Sequence, residues 1–193
     1  SASTTAALVN NGSNDSGQGA VTLSLSQTNF DCTETGSNTV TLTVTDECSN
    51  DSTATAAITV LDTISPVIAG MPTDTTISND SGDCTAVLSW TSPTSSDNCS
   101  DTLETDVESG STFDLGATLV TYNATDASGN TATASFTVTV IDTEDPTFSN
   151  VPADTTLSTD ANQCSAVIAW TAPGTTDNCA VDTSYSDIDS GTA

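Results

Sequence analysis

Asp62, Asp97, Asn98, Asp126 and Asn130 are oxygen-bearing side chains, and three of them return eighty residues later as Asp142, Asp177 and Asn178. Glu144 and Asp145 add two more carboxylates beside Asp142. Carboxylates, amides and backbone carbonyls suit a hard cation such as calcium, which takes about six to eight oxygens. The spacing Asp126-x-Ser128-x-Asn130 places three oxygen side chains on one side of a tight turn. It lacks the central Gly and terminal Glu of an EF-hand loop, so that motif is not implied. The plain alternative is a solvated acidic surface. Recurrence at the same places stands against it.

Composition narrows the chemistry further. The chain has 193 residues, 26 Asp and Glu, and no Lys, Arg or His. Without basic residues there is no surface to release counterions from nucleic acid, and none to meet an anionic membrane. Without His there is no Ser-His-Asp or Cys-His catalysis and no imidazole metal site. Lysine Schiff bases and P-loops are excluded as well. The carboxylates are spread over many loops rather than gathered in one cleft, unlike a glycosidase pair. The chain reads as non-enzymatic. A net charge of −26 must then be tolerated through salt, bound cations or an extended shape.

Self-similarity sets the expected architecture. Asp62, Pro66, Pro72, Asp74, Cys84, Trp90, Pro93, Asp97, Asn98 and Cys99 recur at Asp142, Pro146, Pro152, Asp154, Cys164, Trp170, Pro173, Asp177, Asn178 and Cys179. Val40-Thr-Leu-Thr-Val-Thr-Asp46 aligns with Val120-Thr-Tyr-Asn-Ala-Thr-Asp126. Residues 1–61 thus read as the C-terminal part of a first unit, 62–141 as a complete unit and 142–193 as the opening of a third. A slice of a longer tandem array is expected, with strand sharing between chains as the alternative. Val120, Tyr122 and Ala124 alternate with polar residues, as do Phe136, Val138 and Val140. Period-two alternation, punctuated by Gly, Pro, Asn and Asp, predicts short strands with one buried face and no helix. The expected fold class is all-β: tandem immunoglobulin-like β-sandwich repeats of about 80 residues. Trp90, Leu115, Tyr122, Phe136 and Val138 are the expected core. In such a sandwich Asp62, the loop carrying Asp97 and Asn98, and the turn from Asp126 to Asn130 share one pole. The corresponding set in the third unit is Asp142, Glu144, Asp145 and Asp177, whose companion turn falls outside the 193 residues.

Asp62-x3-Pro66, Pro72-x-Asp74, Cys84-x5-Trp90-x2-Pro93, Asp97-Asn98-Cys99, Gly110-x2-Phe113-x2-Gly116 and the run from Val120 to Asn130 together resemble the hyalin repeat (HYR) family. The first unit is similar to the variant found in long bacterial surface proteins, including gliding-motility adhesins of Bacteroidetes. The resemblance implies an immunoglobulin-like extracellular module used in adhesion or scaffolding, without enzymatic activity. Many members carry a Cys in the last strand, where this chain has none between Thr131 and Val140.

Six Cys with no His and no C-x-x-C read as disulfides in an oxidising compartment, cell-surface or secreted. Cys84 and Cys99 are the only Cys of the complete unit, so they are expected to pair, and Cys164 with Cys179 likewise. Cys32 and Cys48 pair only if the chain around 33–38 folds back; otherwise each pairs upstream or stays reduced. Asn11, Asn14, Asn50, Asn79, Asn98 and Asn123 lie in N-x-Ser/Thr sequons, many of which arise by chance in so polar a chain. The expected role is a stalk or filament segment of an extracellular repeat adhesin, stiffened by disulfides and calcium at the junctions. Its partners would be further repeats of the same chain, lateral copies in a fibre, and a surface, glycan or protein ligand. A carbohydrate- or protein-binding module is the alternative, and an exposed Trp90 or Trp170 platform would favour it.

Overall fold

A computed structural model of the chain describes residues 2–10, 12 and 20–180. In chain order the strands are β1 (Ala2–Ser3), β2 (Thr22–Leu25), β3 (Asn29–Phe30), β4 (Gly36–Thr45), β5 (Asp51–Val60), β6 (Val67–Ala69), β7 (Thr75–Ser78) and β8 (Thr85–Val87). They continue with β9 (Thr94–Ser96), β10 (Asp101–Thr105), β11 (Thr112–Asp114), β12 (Gly116–Asp126), β13 (Thr131–Ile141), β14 (Thr147–Ser149) and β15 (Gly174–Thr176). One four-residue helix, Ala6–Val9, and one 3-10 turn, Cys32–Glu34, interrupt them. The fold is an all-β sandwich of several small sheets, the largest ordered β10–β12–β13–β7. The Thr-rich alternation explains it: β-branched residues favour extended backbone, and every second one turns to water.

The chain divides into two compact units. The first gathers residues 1–71, 93–106 and 121–134. Here β4 and β5 form a long antiparallel hairpin from Gly36 opposite Val60 to Thr45 opposite Asp51. β2 pairs on the other side of β4, β6 pairs with β9, and β10 pairs with the second half of β12. Phe30, Val40, Leu42, Tyr122 and Ala124 are its buried apolar residues. The second unit gathers 72–92, 107–120 and 135–193. β8 pairs with β11, β14 with β15, and β7 lies parallel to β13 with Val138 opposite Thr75. Asp74 fastens that edge by accepting the Thr137 N–H at 2.7 Å.

Ala86, Phe113, Val120, Phe136, Val138 and Val140 form the second unit's core. Half-buried Trp90 lies edge-on to Phe136 with ring centroids 5.3 Å apart, and tilted to Phe113 at 6.1 Å. Such edge-to-face pairs add about 0.5–1.5 kcal/mol beyond area burial. The alternation read from β12 and β13 holds, but Leu115 does not belong to the core: it is 41% exposed. It is the single link between β11, paired to β8, and β12, paired to β10. Gly116 takes φ +102° there, a conformation that L side chains resist. The change of sheet resets the inward parity set by Phe113. Phe136→Ala should therefore lower unfolding free energy by about 3–5 kcal/mol, whereas Leu115→Ala should stay within about 1 kcal/mol of the parent. Chemical denaturation followed by Trp fluorescence checks both, and equal losses would contradict this core assignment.

Candidate metal centre and its disulfide

Asp126 continues the inward parity of Val120, Tyr122 and Ala124, which carries a carboxylate into the protein at 6% exposure. The turn that follows answers it with N–H groups. Oδ1 accepts from Ser128 N at 2.9 Å and Asn130 N at 2.8 Å, and Oδ2 accepts from Asn130 Nδ2 at 2.7 Å. Asp126 N closes the turn onto Asn130 O at 3.0 Å. Burial pushes this carboxyl up, yet the Asn130 amide, the Asn130 and Ser128 N–H groups and that of Gly129 together hold it below the ordinary 3.8. Asp46 repeats the device between β4 and β5. It accepts from Cys48 N, Asn50 N and Asn50 Nδ2, each at 2.8 Å. The Asn50 side chain leads in lowering its pKa.

From this turn Asn130 Nδ2 also reaches Asp62 O at 3.2 Å. Asp62 Oδ1 accepts Ile64 N and Asn98 Nδ2, both at 3.2 Å. Asp97 Oδ2 accepts Cys99 N at 2.9 Å. The structure thus brings Asp62, Asp97, Asn98, Asp126 and Asn130 into one neighbourhood of the first unit. Their tasks differ. Asp126 gives both oxygens to its own turn, while Asn98 and Asn130 turn their N–H donors toward Asp62. Asp62 Oδ2 and Asp97 Oδ1 are buried and accept no hydrogen bond. One ligand atom each from Asp62, Asp97 and Cys99 lies within 4.8 Å of the others. The Cys99 sulfur is in a disulfide and carries no thiolate charge. Two buried, unpaired carboxylate oxygens remain, a set suited to a hard cation rather than to zinc.

The later acidic residues are arranged differently. Asp142 Oδ1 caps Glu144 N at 3.1 Å. Glu144 accepts Ser81 Oγ at 3.1 Å and Gly82 N at 2.9 Å, within the second unit. Glu144, Asp145, Asp177 and Asn178 line one shallow pocket with Thr147 and Thr176. Asn178 Oδ1 is buried without a partner. Nothing in residue spacing signals the Glu144 contact, which needs the 80–83 turn to be in place.

The disulfides correct the expected pairing. Cys32 bonds Cys99 with Cα atoms 5.5 Å apart, and Cys84 bonds Cys179 at 5.2 Å. Cys48 and Cys164 are free and exposed, so neither Cys32–Cys48, Cys84–Cys99 nor Cys164–Cys179 forms. The ten-residue β4 separates Cys32 from Cys48 by about 30 Å of extended chain. Cys84 and Cys99 stay apart because no tight hairpin joins them: β8 goes to β11 and β9 to β6. Cys179 is already committed to Cys84, which leaves Cys164 without it. Two Cys per 80 residues are satisfied equally well by bonding within a segment or across segments, and the spacing does not choose.

Among the sequons, Asn50, Asn98 and Asn123 are exposed. Asn79 is buried, donates to Asp83 O at 2.8 Å and accepts Thr143 N at 3.2 Å, so its amide is closed to a glycan. Asn11 and Asn14 lie outside the described residues.

Asp126 carries a pH prediction. Its folded carboxyl titrates below the unfolded value of 3.8, so its contribution is complete well above pH 3.8 and is lost as pH falls through the folded pKa. Asp126→Asn should lower the melting temperature at neutral pH. It should also remove part of the acid limb of a stability-against-pH curve. An unchanged acid limb in that variant would refute the assignment.

Residues 61–140 match the family model described as HYR domain. The chain is 31% identical over 150 residues to "Hyalin" of Strongylocentrotus purpuratus, and 32% identical over 148 residues to "Hyalin" of Lytechinus variegatus. Each match covers 74% of this chain but only 12% and 28% of the respective relative, so the chain spans a small part of these proteins. The residues matched to that family model include Asp62, Asp97, Asn98, Cys99, Asp126 and Asn130, so the acidic neighbourhood, the Asp-Asn-Cys loop and the closing turn all fall where the chain is similar to a HYR domain.

Proposed function

We propose that the chain is a non-enzymatic stalk or filament segment of an extracellular repeat adhesin, stiffened by disulfides and by calcium. On this reading residues 1–61, 62–141 and 142–193 are successive modules of a tandem array, of the kind used in long surface proteins. The buried, unpartnered oxygens of Asp62 and Asp97 carry the calcium part of the proposal. A buried carboxylate oxygen without a donor is costly, and this chain has no cationic side chain to offset it. A divalent cation supplies the missing charge. Asp62 and Asp97 would hold it, Asn98 and the Asp126–Asn130 turn would fix their positions, and backbone carbonyls and water would complete the shell. Asp142, Glu144, Asp145 and Asp177 form the sequence-equivalent acidic set.

Disulfides and the HYR likeness support an extracellular, adhesive setting, and no described helix is long and apolar enough to cross a membrane. Adhesive partners would be further modules, lateral copies, or a surface, glycan or protein ligand. The packing of Trp90 against Phe136 favours the scaffold reading over direct glycan recognition by an aromatic platform.

Calcium titrated into the oxidised chain by calorimetry should bind, and it should raise the melting temperature. At free calcium a hundredfold above Kd the gain is about 2.7 kcal/mol. Asp62→Asn with Asp97→Asn should abolish both effects. No heat and no thermal shift in the parent would leave the acidic loops as solvated surface.

A further inference from the structure

Turn 79–84 of the second unit is a receptor. Asp80 N bonds Thr85 O at 2.7 Å, Asp83 N bonds Asp80 O at 2.9 Å, and Gly82 sits at φ +82°. Onto it dock the Thr143–Glu144 segment and the Asp177-Asn178-Cys179 loop. Thr143 N reaches Asn79 Oδ1, Glu144 takes the Ser81 hydroxyl and Gly82 N–H, Asn178 Nδ2 reaches Asp83 O at 3.0 Å, and Cys179 bonds Cys84.

Eighty residues later the same receptor backbone is built again. Asp160 N bonds Ser165 O at 2.9 Å, Gln163 N bonds Asp160 O at 3.0 Å, and Asn162 takes φ +64° in place of Gly82. Asn is among the few residues that adopt this conformation readily. The turn ends in Cys164, whose thiol is exposed and unbonded. Thr159 and Ala161 replace Asn79 and Ser81, so two side-chain contacts are absent. The backbone contacts remain available: Asn162 N for a carboxylate, Gln163 O for an amide, and Cys164 Sγ for a cysteine. The other free thiol, Cys48, sits in a turn whose hydrogen bonds close on Asp46, with no receptor geometry around it.

We propose that the 160–164 turn is a docking and disulfide-acceptor site for the Asp-Asn-Cys loop of one further HYR-like repeat. Successive repeats are then cross-linked in series through this turn. The inference rests on the tandem-array reading but not on calcium. The bond forms between Cys164 Sγ and the incoming Cys Sγ. Each thiol loses a proton, and the two electrons pass to a low-molecular-weight disulfide such as oxidised glutathione, which is reduced to two thiols.

The test extends the 193-residue chain at its C-terminus with a copy of its own residues 114–180, which supplies the rest of the third repeat and one more Asp-Asn-Cys loop. The extended chain is refolded in a glutathione redox buffer, alkylated, cut at acidic residues and mapped without reduction. Cys164 should be linked to the appended copy of Cys179, not to the appended copy of Cys164. Cys164 should alkylate in the unextended chain, and again when the appended copy of Cys179 is changed to Ser. A free Cys164 in the extended chain, or a Cys164–Cys48 bond, overturns the proposal. Cys84–Cys179 in the same map reports whether the template junction has folded, and its absence overturns the proposal too. Should the extended chain not fold, the same map of the intact protein from its source decides: Cys164 linked to an Asp-Asn-Cys peptide other than those of Cys99 and Cys179 supports the site, and any other state of Cys164 overturns it. Equal thermal stability of repeats with and without the cross-link would count against the stalk reading alone.

Discussion

Every charged side chain in this protein is negative. That one constraint shapes the loops. No guanidinium or ammonium can meet a buried carboxylate, so only backbone N–H groups, side-chain amides and hydroxyls remain as protein partners. Asp46 and Asp126 are answered by the N–H groups of their own turns and by an Asn four residues on. Glu144 is answered by Gly82 N and the Ser81 hydroxyl. Hydrogen bonds to an ionised acceptor are among the stronger ones, which is how short polar turns hold their shape without ion pairs. Where the supply of donors ends, at Asp62 Oδ2 and Asp97 Oδ1, the protein has two buried oxygens and nothing of its own to offer them.

Thin sheets raise a second requirement. Several ladders are two or three residues long, and the buried apolar set is small for a chain of this length. Disulfides supply constraint where apolar burial is scarce. The two bonds join residues 67 and 95 positions apart, and closing loops of that length removes about 4–5 kcal/mol of freedom from the unfolded chain in the entropic account. Cys99 serves both needs. Its sulfur anchors the loop, and its N–H steadies Asp97 beside Asp62. A cation between those carboxylates and a covalent bond next to them would act on the same few residues.

Aromatic residues are few, and three of the eight make ring contacts with one another. Trp90, Phe113 and Phe136 meet in the second unit, each from a different stretch of chain. This contact draws Trp90 partly away from solvent.

The sequence by itself determined the all-β class and the inward faces of the long strands. Alternation is a local property, so Val120, Tyr122, Ala124, Phe136, Val138 and Val140 were legible from parity alone. A tight turn from Asp126 to Asn130 was legible too, but not that Asp126 gives both oxygens to that turn's own N–H donors. Leu115 was not legible, since its parity is broken by a change of sheet that depends on where β11 and β12 find partners. Cysteine pairing was not legible either: a repeat presents the same spacing within a segment as across segments, and only distance in three dimensions distinguishes them. The two unpartnered carboxylate oxygens belong wholly to tertiary structure, because whether a carboxylate is buried and who stands opposite it are properties of several chain segments at once.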